Sequence, residues 1–259
     1  MKDKLNSTPL YVKEIRISSD ELTKAIEDHQ EDAYLLDIPA IKQLMKEPLE
    51  LNSKVTFIVG ENGSGKSTLI EAIASAVGFN PEGGDIHTLF KTHSTHSILS
   101  NYTTIVRNGS KNKDGYFLRA ESFYNVASYL DDAGSFDDPR RNRFGENLHK
   151  ESHGESFLSL IRNRLEGKGL YIFDEPEAAL SPSRIMTLMC IMHELEKDDS
   201  QFIISTHSPI LMSYPNAEIF ELNEEGIRKI NYKDSEHYQI TRDFIEKPEI
   251  MFKHLFNEK

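Results

Sequence analysis

Apolar and polar positions along the chain alternate between two periods, and the switches mark out an α/β order. Leu10, Val12, Ile15 and Ile17 alternate with polar residues, the two-residue period of a strand. Ser18-Ser19-Asp20 then resembles a cap before a polar helix from Glu21 to about Gln30. Ile38 to Met45 forms a helix or an irregular segment, and Leu49-Leu51 a short strand. The continuous apolar run Val55-Thr56-Phe57-Ile58-Val59 predicts a strand buried on both faces. Leu69, Ile70, Ala72, Ile73 and Val77 predict the amphipathic helix that follows it. Phe79-Asn80-Pro81-Glu82-Gly83-Gly84 breaks regular structure, and Tyr116 to Ala120 regains strand character. Between them, residues 85–110 are rich in Ser, Thr and His, and residues 122–151 are polar, part helix and part loop.

In the second half, Phe157, Leu158, Leu160, Ile161 and Leu165 predict a helix from Glu155 that stops at Gly167. Leu170–Phe173 and Phe202–Ser205 predict buried strands, with a helix over Ser183–Lys197 between them. Ala217 to Tyr232 reads as two edge strands joined through Asn223-Glu224-Glu225-Gly226. A closing helix, Tyr238 to Phe256, is interrupted at Pro248. The sequence contains no internal repeat and no sustained heptad pattern.

Composition narrows this picture. At 259 residues the chain can bury one large α/β core carrying an insertion. A formal charge of −12 supplies no basic field for nucleic acid, and the Arg140–Arg143 and Arg162/Arg164/Lys168 stretches read as solvated faces. The single cysteine, Cys190, lies among Ile185, Leu188, Met189 and Met192 and is expected to be a small buried hydrophobe. No run approaches membrane-spanning length and the first residues have no apolar leader core, so a cytoplasmic location is expected.

The chemistry enters at residues 60–68, GENGSGKST, directly after the Val55–Val59 run. This is the phosphate-loop pattern G-x-x-x-x-G-K-[ST] between a strand and a helix. Gly60, Gly63 and Gly65 permit backbone turns that aim successive N–H groups at a phosphate, with Glu61, Asn62 and Ser64 as the intervening loop residues. The helix beginning near Lys66 adds its positive end. Lys66 can reach the β- and γ-phosphates, Ser67 can ligate Mg²⁺ and Thr68 can contact the α-phosphate. The pattern predicts a nucleoside triphosphate ligand. Leu170-Tyr171-Ile172-Phe173-Asp174-Glu175 then delivers two carboxylates at the end of a buried strand. Asp174 would hold Mg²⁺, and Glu175 would orient and deprotonate the attacking water. Tyr11 is a candidate to stack on adenine, with ordinary packing as its alternative. His87, His93 and His96 have no spacing that fixes a ligand face, so an ordinary polar loop is expected there.

Two further strings resemble a known class. Ser152-His153-Gly154-Glu155-Ser156 at the start of a helix is similar to the signature motif of the ATP-binding-cassette (ABC) class. His207, after the strand Phe202–Ser205, matches that class's switch histidine. With phosphate loop, signature, Asp-Glu strand and histidine in order, the resemblance covers nearly the whole chain. GENGSGKST and DEPEAALSPSR look more like the soluble branch containing SMC proteins, RecF and the overcoming-lysogenization-defect nucleases than like transporter subunits.

The resemblance implies an ABC-type nucleotide-binding domain over residues 1–259, with a mixed sheet and a small helical insertion at about 80–155. It implies ATP and Mg²⁺ as cofactors and an ATP-dependent homodimer, in which Ser152, Gly154 and Glu155 of one chain close on the nucleotide of the other. It further implies hydrolysis by Glu175 with His207, in DNA maintenance, repair or phage defence, with an effector or DNA-processing protein encoded nearby. A transporter's nucleotide-binding subunit is the alternative, and a defence sensor gating a separate effector a third. Two departures stand out. The class's glutamine between phosphate loop and signature is missing, and Glu121 occupies the comparable place as a Mg²⁺ ligand. Ser181 replaces the acidic residue of the loop after the Asp-Glu strand.

Overall fold

The computed structural model describes residues 10–85, 97–109, 111–120 and 153–256, with His153 and Gly154 described by backbone only. Two sheets organise the described residues. A six-stranded sheet has the order β5-β6-β7-β3-β8-β9, built from β3 (Val55–Gly60), β5 (Asp114–Arg119), β6 (Gly169–Asp174), β7 (Gln201–Ser205), β8 (Glu218–Asn223) and β9 (Gly226–Ile230). All neighbours pair in parallel except β8 with β9. A small antiparallel sheet places β1 (Glu14–Ile17) between β2 (Leu49–Glu50) and β4 (Thr103–Val106).

Both faces of the large sheet are covered, which is why its central strands read as unbroken apolar runs. Ile58, Phe117, Ile172, Ile203 and Phe220 point to one face, where they meet α3 (Lys66–Val77) and the small sheet with α1 (Ser19–Asp28) and α2 (Pro39–Leu44). Phe57, Leu118, Phe173, Phe202 and Ile204 point to the other, where they meet α4 (His153–Arg164), α5 (Pro182–Lys197) and the short α6 (Pro209–Met212). The closing segment divides at Pro248 into α7 (Glu236–Glu246) and α8 (Pro248–Phe256). Proline suits the first position of the second helix, where no intrahelical N–H bond is required.

The fold corrects several expectations. β8 is an interior strand, held between β3 and β9, so of these two only β9 is an edge. Its polar residues are misleading because they are consumed internally. Glu218 is 5% exposed and accepts from the Asn52 and Ser53 amides, the Thr56 hydroxyl and Lys229. Cys190 is exposed, since Ile185, Leu188 and Met192 define the inner face of α5 and residue 190 falls on the outer one. Tyr11 is buried and donates to the Asp199 carbonyl at 3.0 Å. Asp199 precedes β7, so Tyr11 lies at the opposite end of the sheet from the phosphate loop and packs rather than stacking on a base.

Arg164 is not on a solvated face. It is 6% exposed, with Nη1 2.7 Å from Asp114 and Nη2 2.6 Å from Asp85. Burial acts to raise the Asp114 pKa, but the Glu166 amide, Arg164 and the Tyr171 hydroxyl outweigh it and hold the carboxyl below its usual range. Replacing Arg164 with Leu therefore strands a buried carboxylate, and we expect a loss of about 3–5 kcal/mol in urea unfolding. The Asp114 contribution is complete above its unfolded value, near pH ~4, and fades as pH falls through the lower folded value. An unfolding midpoint equal to wild type at neutral pH would refute this account.

The span 80–155 includes β4 and β5, which belong to the two sheets, while residues 121–152 lie outside the described residues. Glu121, Ser152, His87, His93, His96 and the Arg140–Arg143 run all fall outside them. No described helix is long and apolar enough to cross a membrane.

Candidate functional site

Parallel register brings the ends of β3, β7 and β6 to one rim. Ser205 pairs with both Asp174 and Ile58, two residues before Gly60. From this rim the chain turns through residues 60–65 into α3. Gly60 has φ +146°, and a Cβ there would lie 2.4 Å from the Leu222 carbonyl oxygen. Gly65 has φ +94°, and a Cβ would lie 2.6 Å from Ile38 Cγ2. Both positions therefore demand glycine on conformational and on steric grounds. Glu61, Asn62, Gly63 and Ser64 complete the loop and border a cavity of about 630 Å³ that extends to Glu221, Arg228, Glu236 and His237.

Lys66 opens α3 and is 4% exposed. Its Nζ folds back to donate to the carbonyls of Gly60 and Glu61, each at 2.9 Å. Burial lowers the pKa of this ammonium, while the carboxylates of Glu175, Asp174 and Glu177 act to raise it. The Lys66 ammonium thus lies in the field of three acidic side chains. Thr68 follows in the first turn of the same helix.

Asp174 ends β6 at 7% exposure. Its Oδ1 accepts from Ser67 Oγ at 3.2 Å and from Ser205 Oγ at 2.5 Å, and its Oδ2 lies 3.6 Å from Arg119 Nε. Arg119, at the end of β5, also donates to Glu71 at 2.8 Å. Burial raises the Asp174 pKa, partly offset by the Ser205 hydroxyl and by Arg119. Ser67 Oγ and the Asp174 carboxylate form a pair of hard oxygen donors, the type that suits Mg²⁺.

Glu175 leaves the strand in the left-handed region, φ 49° and ψ 54°. Its amide donates to the Ser205 carbonyl and lies 3.1 Å from Ser205 Oγ. That turn aims its carboxylate at His207, with Oε1 3.1 Å from Nε2. The other ring nitrogen of His207, Nδ1, is 2.8 Å from His237 Nε2. Burial and Lys66 lower the His207 pKa, with Glu175 opposing them, so the ring is neutral near pH 7.

Four of these partners escaped the sequence. Glu177 Oε1 accepts from Thr206 Oγ1 at 2.8 Å and from the His207 amide at 2.5 Å, tying the turn after Glu175 to the turn that carries the histidine. Burial raises its pKa. The string DEPEAALSPSR contains Glu177, and Ser205 immediately precedes Thr206-His207, so both stood beside residues already singled out. Arg119 ends a strand the sequence did predict. His237 had no signal, because only the fold carries it to the rim.

The helix that the SHGES string was expected to start begins at His153. Gly154 is helical, and Glu155 is exposed with Oε1 3.2 Å from Arg184 Nη2. Ser181 precedes α5, its hydroxyl 3.1 Å from that of Ser183. Chemically, the rim combines an anion-binding loop, a pair of hard oxygens and a carboxylate–imidazole pair.

A family model described as an AAA domain matches residues 36–255. Similar proteins include the nucleoside import ATP-binding protein NupA of Lactococcus lactis subsp. cremoris (strain MG1363), 24% identical over 186 residues. That match covers 61% of this chain and 34% of NupA. The guanosine import ATP-binding protein NupO of Bacillus subtilis (strain 168) is 25% identical over 177 residues, 58% of this chain and 32% of NupO. The chain thus spans about a third of the length of these curated relatives. Among solved structures, the SMC head domain from Thermotoga maritima aligns with a TM-score of 0.44 at 15% identity, covering 86% of this chain and 99% of that one. A component of an ABC transporter complex from Clostridium perfringens aligns at 0.43 and 18% identity, covering 82% and 90%.

Proposed function

We propose that this chain, which belongs to the AAA domain family and is an ABC-class P-loop ATPase of the SMC and RecF type, works as an ATP-timed clamp. Two copies would enclose two ATP molecules, each held by the phosphate loop of one chain and the signature residues Ser152, Gly154 and Glu155 of the other. Hydrolysis would reopen the pair. The observation that carries this reading is the Glu175–His207 contact, at 3.1 Å, on the same rim as Lys66, Ser67 and Asp174. A bare phosphate-binding turn has no need of a carboxylate–imidazole pair at its mouth.

Each residue then has a task. Amides of residues 60–68 would cradle the phosphates, and Lys66 would turn from the loop carbonyls toward the β- and γ-oxygens. Ser67 and Asp174 would hold Mg²⁺, with Glu121 joining them in place of the class's glutamine. When bound, Mg²⁺ neutralises charge on the phosphate oxygens. Glu175 would take a proton from water as that water's oxygen attacks the γ-phosphorus. His207, through Nε2–H, would orient the Glu175 carboxylate and reach a γ-phosphate oxygen. Thr68 would contact the α-phosphate.

The biological setting we propose is DNA maintenance, repair or phage defence, alongside an effector or DNA-processing protein encoded nearby. The names of NupA and NupO favour a second reading, an importer's nucleotide-binding subunit. ATP hydrolysis by the purified chain in solution, unchanged by membranes from the source cell, would favour the first.

Complementation tests the sandwich. Ser152→Arg places a bulky cation where the signature must approach the other chain's γ-phosphate, and Lys66→Ala empties the phosphate loop. Each variant alone is expected to be inactive. Mixing them rebuilds one composite site per mixed dimer, so partial ATPase activity should return. No recovery, with both variants folded, would reject the two-chain site.

A further inference from the structure

We infer that His237 is a positioning residue, which fixes the tautomer in which His207 faces Glu175. This rests on the roles given above to Glu175 and His207. Glu175 Oε1, His207 Nε2, His207 Nδ1 and His237 Nε2 form one hydrogen-bonded series, with contacts of 3.1 and 2.8 Å, in which donors and acceptors must alternate.

A neutral imidazole has one N–H donor and one lone-pair acceptor. A general base is a carboxylate, so Glu175 offers only acceptors to its neighbour. If His207 carried its proton on Nδ1, its Nε2 lone pair would confront the Glu175 oxygen across 3.1 Å, with no hydrogen between them. The other tautomer satisfies every contact. His207 Nε2–H donates to Glu175, leaving Nδ1 as an acceptor, and His237 Nε2–H supplies the hydrogen it needs. The same Nε2–H is the group that can meet a γ-phosphate oxygen. Glu175 favours this form from the Nε2 side, and His237 is the described contact that favours it from the Nδ1 side.

His237 is built to hold that place. It stands in the first turn of α7, behind a Ser235 that is 0% exposed and caps the Tyr238 amide. Ser235 Oγ in turn donates to the Tyr232 carbonyl at 2.8 Å, and the Tyr232 and Tyr238 rings meet at 4.7 Å. The His207 and His237 rings lie 5.0 Å apart and tilted by 58°, so they meet edge to edge through nitrogen rather than by stacking. A capped turn with a packed aromatic pair thus sets the donor, which is the support a positioned group requires.

Two uncharged replacements test this. His237→Gln retains an N–H donor for Nδ1, whereas His237→Leu offers none and adds no charge. Ring ¹⁵N chemical shifts in histidine-labelled protein report the His207 tautomer directly, and steady-state hydrolysis reports its consequence. With His237→Leu we expect the Nδ1–H form of His207 to become the major one and kcat to fall about tenfold, with ATP affinity little changed. His237→Gln should keep the Nε2–H form and recover the larger part of kcat. The inference is overturned if His207 stays wholly Nε2–H in His237→Leu, if the Nδ1–H form appears without loss of kcat, or if His237→Gln is as slow as His237→Leu. Failure of the underlying site assignment looks different: Glu175→Gln would then hydrolyse ATP at the wild-type rate while the ring shifts stayed interpretable.

Discussion

Lys66→Ala is expected to lose ATP binding to the limit of detection. The ammonium is the cation opposite the β- and γ-phosphates in the proposed complex, where phosphate oxygens would replace the loop carbonyls of Gly60 and Glu61 as its partners. Opposite charges about 4 Å apart interact by about 4 kcal/mol at an effective dielectric constant near 20. Losing that interaction weakens affinity by about a thousandfold, since each ~1.4 kcal/mol is tenfold. The substitution also frees the carbonyls of Gly60 and Glu61, to which Nζ donates. Thermal unfolding of the variant should therefore accompany calorimetric titration with ATP. An unchanged Kd in a folded variant would remove the phosphate loop from the account.

Glu175→Gln should separate chemistry from binding. The amide keeps an oxygen to accept from His207 Nε2, and the backbone turn is unaltered, so the geometry at 3.1 Å can persist. What disappears is basicity. Hydrolysis should fall by about a hundredfold or more, the usual scale for a lost general base. In the proposed clamp closure needs binding and reopening needs hydrolysis, so this variant should accumulate as an ATP-bound dimer in size-exclusion chromatography. Wild-type turnover would move the base elsewhere, with Glu121 the first residue to examine. A monomer that binds ATP but cannot hydrolyse it would spare the base and reject the clamp.

The fold was legible wherever burial was one-sided or complete. Val55–Val59, Leu170–Phe173 and Phe202–Ser205 are mainly apolar because both faces of their sheet are covered, and each forms a strand. Punctuation was legible for the same local reasons: Gly60 and Gly65 bend the phosphate loop, and Pro248 divides the last helices. Misreadings came from polar residues whose partners are distant in sequence. Glu218 made an interior strand look like an edge, because its bonds to Asn52, Ser53 and Thr56 cannot be seen from residues 216–222. Arg164 looked solvated because Asp85 and Asp114 reach it only after folding.

The site divides along the same line. Lys66, Ser67, Asp174, Glu175 and His207 stand in local strings whose spacing expresses their geometry. Ser205 and Glu177 were within those strings but carried no separate pattern. His237 is held against His207 purely by tertiary structure. Residue periodicity and motif spacing are local properties, so a contact between separate elements leaves no trace in either.

The left-handed backbone at Glu175 bears on how this position came to hold glutamate. At φ 49° and ψ 54°, a residue with a Cβ carries about 1–3 kcal/mol of conformational strain that glycine would avoid and asparagine would lessen. Selection for folding alone would favour those two residues here. If Glu175 is the general base proposed above, this strain is the cost in stability of placing a carboxylate there. Drift in a lineage that had ceased to hydrolyse ATP should accordingly run toward glycine or asparagine at residue 175 before it touched the apolar strands on either side.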